Sequence, residues 1–437
     1  MTDSRNLSYK FIFFFWLPLA ATWLMMAFEG PFLSAVIARM AEPKFNLAAY
    51  GVAFSFAIII ESPVIQMMSA ATALVSNRQT FYKLRNFTYI LNGLTTLVMI
   101  IFLLPPIFYF ITIDLINLPK VVADLTHAAV MILIPWPGSI GYRRFYQGIL
   151  IKNNLTRRVA YGTVIRLAAM SSTALVLYNF FHVDGVVIGA SALTAGVVTE
   201  AIASKLMTLK LVKKIKQGEI EHSETDTLTY KEIIDFYNPL FLTSLIGLGV
   251  HPLVTFFIGQ GRMPIESLAI LPVMNSLVFI FRSLGLSYQE AVVALLGKRN
   301  EGYLKLKNFC FAAAAAVFII LGSISFTPLS GIWYGDISGL SKELTQFAQL
   351  PTMILTILPC LTFLISFQRG VLVNVRKTNP ITWATVIEVS GIIIVVFVMT
   401  HLFDSVGAVA AAAAFIFGRL GANAYLFPPF FKALKSK

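Results

Sequence analysis

The chain has 437 residues, of which 57% are apolar and only 13% are charged, and its mean hydropathy is +0.77. This composition excludes a soluble globular protein and requires lipid around most of the chain. The net charge of +13 is not gathered into a nucleic-acid-binding module, so we expect no nucleic acid partner.

Twelve apolar stretches follow one another along the chain, each long enough to cross a bilayer, which takes about 20 residues. The first is too long, and too continuous with the second, to be a cleaved signal peptide. Cys310 and Cys360 both lie inside apolar stretches, which indicates neither a disulfide framework nor a metal cluster. We therefore predict an all-α polytopic membrane protein with twelve transmembrane helices. The predicted spans are 11–38, 47–76, 84–112, 123–149, 159–181, 184–207, 232–258, 266–297, 306–333, 345–373, 380–402 and 405–431.

Basic residues mark one side of this map. Most of the 34 Lys and Arg residues lie at the termini and in the loops after spans 2, 4, 6, 8 and 10. Those opposite are Arg39, Lys44, Lys120, Arg262 and Lys342. The positive-inside rule then predicts that both termini are cytoplasmic, in a plasma (inner) membrane whose anionic lipids the basic loops face.

An internal repeat divides the chain into two halves. The two halves superimpose at one fixed residue separation up to the end of the second span, and at a separation one residue larger after a single insertion there. We call this alignment the repeat shift. Chance similarity would not keep three prolines in register, because proline removes a backbone hydrogen bond and is poorly tolerated in helices. Matched pairs include Pro18/Pro239, Pro31/Pro252, Pro43/Pro264 and, after the insertion, Lys83/Lys305.

Each half holds six spans, so both halves start on the same side and form parallel repeats. We predict an N-lobe at 1–207, a polar cytoplasmic linker at 208–231 and a C-lobe at 232–437. Pro31 and Pro252 are predicted to bend spans 1 and 7 at equivalent depths.

Several ionisable residues lie within spans, where each costs roughly 3 kcal/mol or more unless it faces a cavity or a partner. Opposite charges occupy two pairs of equivalent positions, Glu61 with Arg282 and Arg166 with Glu388. Such charges are predicted either to pair across the axis between the lobes, as a gate or substrate site, or to be matched by neighbours within their own bundle. The full set of candidates for the central cavity is Glu61, Arg282, Arg166, Glu388, Glu200 and Arg419.

Glu29 differs from these charges because its repeat mate, Val250, is apolar and is followed by His251. An acid beside the helix-bending Pro31 is suited to bind a proton or a cation. We predict Glu29 as the site of the coupling ion, H+ or Na+, with His251 as a second candidate. No other cofactor and no metal centre are expected.

Three further arginines lie near the cytoplasmic ends of spans 4 and 10, namely Arg143, Arg144 and Arg369. At such positions arginines are expected to reach lipid head groups. If the substrate is an anion, these arginines would instead attract it at the inner mouth.

Three short motifs carry a resemblance to a known family: Pro18-Leu-x-x-Thr22, Ala49-Tyr-Gly-Val-Ala-Phe-Ser55 and Gly148-Ile-Leu-Ile-Lys152. The chain resembles the progressive ankylosis (ANK) branch of the multidrug/oligosaccharidyl-lipid/polysaccharide (MOP) exporter superfamily, which includes the MATE efflux transporters. The resemblance implies a V-shaped pair of lobes that alternates between inward-open and outward-open forms and exports a small solute.

The same resemblance bears on coupling and substrate. MATE proteins use a proton or sodium gradient, often through an acid on helix 1, and Glu29 is the position that could match it. The ANK branch is associated with small organic anions such as citrate and with nucleotide or pyrophosphate species. The acids within the spans would suit cationic drugs and the arginines would suit anions, so the charge of the substrate stays open.

Three other classes of protein share some of these features. A major-facilitator transporter has the twelve helices, but residues 76–83 lack its Gly-x-x-x-Asp-Arg-x-Gly-Arg type motif. A lipid-linked oligosaccharide flippase of the same superfamily is a closer alternative. A membrane enzyme is disfavoured, since the sequence has no paired aspartates for magnesium and no clustered histidines. We predict a secondary transporter, not an enzyme, acting as a monomeric antiporter on a small molecule.

Overall fold

The computed structural model describes residues 7–153, 155–219, 228–297, 300–375, 377 and 379–435. Within these residues the fold is all-helical without strands, and twelve helices are long and apolar enough to cross a membrane, as predicted. They are α1 (Tyr9–Ala38), α2 (Pro43–Leu74), α3 (Arg78–Phe102), α4 (Lys120–Lys152), α5 (Arg157–Phe180), α6 (Gly185–Gln217), α7 (Tyr230–Gln260), α8 (Pro264–Leu295), α9 (Tyr303–Phe326), α10 (Lys342–Asn374), α11 (Asn379–His401) and α12 (Gly407–Lys435).

Two predicted spans, the third and the ninth, are too long at their carboxyl ends. Helix α3 ends at Phe102 rather than 112, and α9 ends at Phe326 rather than 333. Prolines follow both ends, at Pro105 and Pro328, and the residue before a proline disfavours helical backbone. Short separate helical segments continue from each proline.

Those segments show that the backbone is duplicated along with the sequence. Each contains a π-helical turn, at Phe110–Leu115 and at Ile332–Ile337, and the repeat shift superimposes the two turns. Left-handed backbone follows at Asn117 and Gly339, which the same shift also superimposes. Because π-turns are uncommon, their recurrence at one shift, each followed by left-handed backbone, supports the internal repeat.

The starts of α6 and α12 are capped in the same way. Asn46 Oδ1 accepts a hydrogen bond from the Val186 backbone N–H at 2.9 Å. At equivalent positions, Ser267 Oγ accepts one from the Ala408 backbone N–H at 3.0 Å. The first N–H groups of a helix have no intrahelical acceptor, so each contact satisfies an otherwise orphaned donor.

The chain divides into two compact units, which we name by their main content. The N unit is Met40–Thr255, and the C unit is Met1–Arg39 with Phe256–Lys437. These units differ from the predicted lobes, 1–207 and 232–437, because α1 groups with helices of the second half and most of α7 with helices of the first. In the predicted linker, 208–231, α6 extends to Gln217 and residues 220–227 lie outside the described residues.

Side-chain contacts explain why α1 groups with the C unit. The Trp16 indole donates a hydrogen bond to Ser287 Oγ on α8 at 2.8 Å. Further along, α1 approaches α8 so closely that a Cβ added at Gly30 would lie 2.8 Å from the Ser276 Cβ. Hydropathy alone does not encode this choice of packing partner.

Helix α7 is held within the N unit by contacts to α2. The Tyr237 hydroxyl donates to the Pro63 carbonyl oxygen at 2.6 Å. Nearby, Gln66 Nε2 donates to Ser244 Oγ at 3.0 Å.

Four of the helices that carry candidate residues are interrupted. Helix α1 is interrupted at Phe28, three residues before Pro31, and α2 passes through a 3-10 turn at Ser62–Val64. Helix α4 is interrupted between Ile132 and Trp136, and α10 is interrupted at the equivalent position, between Leu355 and Leu358. By contrast, α7 runs without interruption through Pro252, so the structure shows no break there equivalent to the one near Pro31.

Two equivalent glycines let neighbouring helices approach closely. A Cβ added at Gly196 would lie 3.2 Å from the Arg166 carbonyl oxygen on α5. A Cβ added at Gly418 would lie 2.6 Å from the Glu388 carbonyl oxygen on α11. The repeat shift superimposes the two contacts, which set the spacing of α5 and α6 and of α11 and α12.

We expect Gly418→Ala to destabilise the protein by about 1–3 kcal/mol, because the added methyl group would overlap backbone that cannot rotate away. Gly93→Ala is the matched control, since a Cβ added at Gly93 would have no neighbour within 4 Å and alanine favours helix. Thermal unfolding of both variants in detergent, followed by size-exclusion chromatography, measures the difference. Equal melting temperatures would show that the close approach is not a constraint.

Candidate functional site

Each unit buries one cluster of arginines and glutamates among its helices. The N cluster comprises Glu61, Arg143, Arg144, Arg166 and Glu200. The C cluster comprises Arg282, Arg369, Glu388 and Arg419. Glu61 and Arg282 interact electrostatically with charged residues of their own clusters.

Glu200 on α6 is the centre of the N cluster and is 1% exposed. Arg143 on α4 donates to Glu200 Oε2. One turn further along α4, Gln147 Nε2 donates to Oε1 at 3.0 Å, because residues four apart share a helix face. Arg166 on α5 lies 3.9 Å from Oε2, so three helices meet at one carboxylate.

Glu61 occupies the other side of the N cluster, at the point where α2 changes to its 3-10 turn. The carboxylate accepts a hydrogen bond from the indole N–H of Trp136, which starts the second segment of α4. Arg143, Arg144 and Arg166 all lie close enough to attract it electrostatically. Glu61 is therefore satisfied by neighbours within the N unit.

Glu388 on α11 is the centre of the C cluster. Arg419 on α12 reaches its Oε1 through both Nε, at 2.8 Å, and a terminal nitrogen, at 2.7 Å. Arg369 on α10 lies 4.0 Å from Oε2 and also donates to Thr385 Oγ1 at 3.2 Å. Arg282 on α8 is near enough to interact electrostatically with Glu388 and Arg419.

The arrangement explains the opposite charges that the repeat places at Arg166 and Glu388. These two residues belong to different units, and each has an ion-pair partner inside its own unit. In the N unit the arginine is on α5 and its glutamate, Glu200, is on α6. In the C unit the glutamate is on α11 and its arginine, Arg419, is on α12. The sequence indicated all of these residues but not the pairing of Arg166 with Glu200 or of Glu388 with Arg419.

Arg143 and Arg369, which the sequence suggested lie near lipid head groups, contact side chains within their own units. Arg143 is buried and bonded to Glu200, and Arg369 is engaged with Glu388 and Thr385. Their partners lie on other helices, α6 and α11, and span boundaries do not reveal such contacts.

Arginine donors are in excess in both clusters. Among the described residues, the Nε atoms of four of these arginines are buried without a hydrogen-bond partner, and each unit contributes two: Arg143 and Arg144, Arg282 and Arg369. A buried donor left unsatisfied costs about 1–3 kcal/mol, and more when it is charged. Water or a bound oxyanion would satisfy them, and guanidinium groups match carboxylate and phosphate geometry.

Both clusters retain some exposure. The side chains of Arg166 and Arg369 are 15% and 21% exposed. An ionised guanidinium facing acyl chains would be costly, so the exposed edge of each cluster requires a polar surrounding.

Glu29 and His251 lie apart from these clusters in sequence position and belong to different units, Glu29 to the C unit and His251 to the N unit. Glu29 is buried and starts the second segment of α1, where the helix dipole favours a carboxylate. Their roles in coupling stay predictions. Within the described part of the chain, no three His, Cys, Asp or Glu side chains converge as a metal site would require.

No protein-family model matches the chain, and a comparison with curated proteins finds no match in sequence. Solved structures do match. An inward-facing multidrug resistance MATE family transporter of the MOP superfamily superimposes with a TM-score of 0.73 at 13% identity, covering 95% of both chains. The lipid II flippase MurJ, in an inward closed conformation, gives 0.70 at 15% identity, covering 96% of this chain and 90% of that one.

A MATE transporter from Vibrio cholerae is similar as well, with a TM-score of 0.61 at 13% identity over 98% of this chain and 97% of that one. At these identities the likeness concerns the fold. The chain is thus a multi-pass membrane protein with the fold that MATE transporters and MurJ share.

We expect Glu388→Gln to destabilise the protein by about 3–5 kcal/mol, because removing one partner of a buried ion pair leaves the other charge uncompensated. The double variant Glu388→Arg/Arg419→Glu should recover most of that loss, since it gives α11 and α12 the charge order found on α5 and α6. Melting temperatures of the single and double variants in detergent measure the recovery. A double variant no more stable than Glu388→Gln would contradict the pairing.

Proposed function

We propose that this protein is a MOP-type secondary transporter that carries a small anionic solute across the membrane by alternating access. The observation that supports an anion is the excess of arginine over glutamate in both buried clusters, together with four buried guanidinium Nε atoms that have no partner among the described residues. A site with surplus positive charge in a medium of low dielectric constant attracts anions and repels cationic drugs.

The fold and the short sequence motifs agree with this proposal. MATE transporters and MurJ have the same fold, and the motifs around Pro18, Ala49 and Gly148 resemble the ANK branch, which is associated with citrate and with nucleotide or pyrophosphate species. Such species carry the carboxylate or phosphate groups that arginine binds in a bidentate manner.

Location and coupling complete the proposal. The basic loops favour a plasma (inner) membrane with both termini in the cytoplasm. Glu29 is proposed to bind the coupling ion, a proton or sodium, and the protein is proposed to catalyse no covalent reaction.

A lipid-linked substrate is the second candidate, favoured by the similarity to MurJ, which is described as a lipid II flippase. The pyrophosphate group of such a lipid would also suit the arginine clusters. Proteoliposome assays distinguish the two candidates, because a soluble anion accumulates inside vesicles whereas a flipped lipid stays in the membrane.

We expect purified protein in proteoliposomes to take up citrate or pyrophosphate in preference to a cationic dye. Arg144→Gln and Arg369→Gln should each lower that uptake about tenfold or more, the effect of losing one charge-assisted hydrogen bond of about 1.5–3 kcal/mol. Arg157→Gln is the control, because Arg157 is exposed at the start of α5 and outside both clusters. Dye transport unaffected by anions would contradict the proposed substrate class.

For coupling, we expect Glu29→Gln to abolish the dependence of uptake on an imposed proton or sodium gradient while exchange at equilibrium continues. Glu343→Gln is the control, since Glu343 is an exposed acid in the first turn of α10 in the same unit. Initial rates with and without each gradient measure the effect. Gradient-driven uptake that persists in the Glu29 variant would exclude this residue as the coupling site.

A further inference from the structure

A patch of basic and aromatic side chains lies on the N unit, on the basic ends of three helices, and shares no residue with the N cluster. We name it the basic–tyrosine patch. It comprises Tyr82, Arg85 and Tyr89 of α3, Tyr142 and Tyr146 of α4, and Lys205 and Lys216 of α6.

Lys205 forms the centre of the patch. Its ammonium group donates a hydrogen bond to the Tyr146 hydroxyl at 2.6 Å and lies 4.3 Å from the centroid of that ring. The Tyr146 hydroxyl also contacts the Tyr89 hydroxyl at 3.1 Å. The Tyr89 ring stacks on Tyr142, with centroids 5.9 Å apart. The ammonium group is therefore held in one place by aromatic neighbours.

Two further cations join Lys205. The Arg85 guanidinium lies 4.8 Å from the Tyr82 ring centroid and 5.7 Å from that of Tyr89, and the Lys216 ammonium lies 5.8 Å from Tyr82. Arg85 and Lys216 both repel Lys205 electrostatically. Within the described residues Arg85 donates to the neutral amide of Asn86, and no carboxylate lies within ion-pair distance of these three cations.

A cavity of about 410 Å³ opens beside Lys205, between α4 and α6. Small residues shape part of its wall, including Gly138, Ser139 and Ala201. Ile202 and Leu206, which also line it, are 56% and 60% exposed. In a membrane such exposed apolar side chains face acyl chains, so the cavity joins an apolar surface to a cationic end.

The depth of Lys205 suits the boundary between acyl chains and head groups. It lies about 20 residues after Gly185, the start of α6, and this length of helix covers about 30 Å, the thickness of the hydrocarbon core. Tyrosines and basic residues are both favoured at this boundary.

The internal repeat provides a comparison within the same chain. Under the repeat shift the equivalent positions are Leu364 for Tyr142, Gln368 for Tyr146 and Phe427 for Lys205. The C unit thus has the same helices without the lysine of α6 or the tyrosines of α4, although Arg85 is matched by Lys307, whose ammonium lies 5.8 Å from the Tyr303 ring centroid. The fold does not need Lys205 and its tyrosine partners, which points to a ligand at this position.

We propose that the basic–tyrosine patch binds an anionic phospholipid, with its phosphate on Lys205 and Arg85 and an acyl chain in the cavity between α4 and α6. Basic pockets between transmembrane helices at the cytoplasmic surface are suited to anionic head groups. The cations balance the negative charge of the phosphate. The apolar wall of the cavity favours a ligand with an acyl chain over a soluble anion.

The test is native mass spectrometry of the full-length protein in lipid-free detergent, titrated with phosphatidylglycerol or phosphatidylcholine. The unchanged protein should bind phosphatidylglycerol in preference. Arg85→Gln/Lys205→Gln should weaken that binding about tenfold or more. Lys210→Gln/Lys213→Gln removes the same charge from exposed positions of α6 and should change it less than about twofold.

A conservative pair, Arg85→Lys/Lys205→Arg, guards against misfolding and should keep the affinity within about threefold, because both charges remain. Three results would overturn the proposal: equal losses in the two glutamine pairs, equal binding of phosphatidylcholine by the unchanged protein, or displacement of phosphatidylglycerol by an equal concentration of pyrophosphate. The last would assign the patch to a soluble anion.

Discussion

An arginine buried among membrane helices needs a counter-charge or water, because acyl chains provide neither. In each unit one glutamate meets this need for two arginines, Glu200 for Arg143 and Arg166 and Glu388 for Arg369 and Arg419. The ion pairs fix which helices are neighbours, since α4, α5 and α6 meet at the first glutamate and α10, α11 and α12 at the second. The close contacts at the two packing glycines bring these helices within ion-pair distance.

Sharing one carboxylate between two guanidinium groups leaves positive charge uncompensated. Among the described residues the two clusters hold six arginines and three glutamates, and the one acid without an arginine in bonding contact, Glu61, accepts from the indole of Trp136. A cluster built only for packing would approach neutrality, because each surplus charge costs desolvation energy that nothing inside the protein offsets. This surplus is the observation on which the proposed anionic substrate rests.

The twelve spans and the duplication could be read from the sequence because hydropathy and a constant shift are properties of the chain in one dimension. The pairing within the clusters could not. The exchange of sign at Arg166 and Glu388 is visible under the repeat shift, but Glu200 then falls on Ala422, and Arg419 lies almost one turn earlier. The ion-pair partners, Glu200 and Arg419, differ both in charge and in position along the helix. Superimposing the halves therefore does not reveal which residues pair. The grouping of α1 with the C unit was missed because apolar periodicity does not specify which helix packs against which.

The duplication also separates what the fold requires from what is particular to one half. The π-turns, the capped starts of α6 and α12, and the close glycine contacts occur in both halves, which is expected of features that stabilise the bundle. The 3-10 turn beside Glu61 occurs in α2 alone, since α8 is continuous through Arg282. Backbone at a break lacks some intrahelical hydrogen bonds and reorganises more easily than a continuous helix. A change of charge or ligand at Glu61 thus acts directly on a helix break, whereas the same change at Arg282 meets an intact helix.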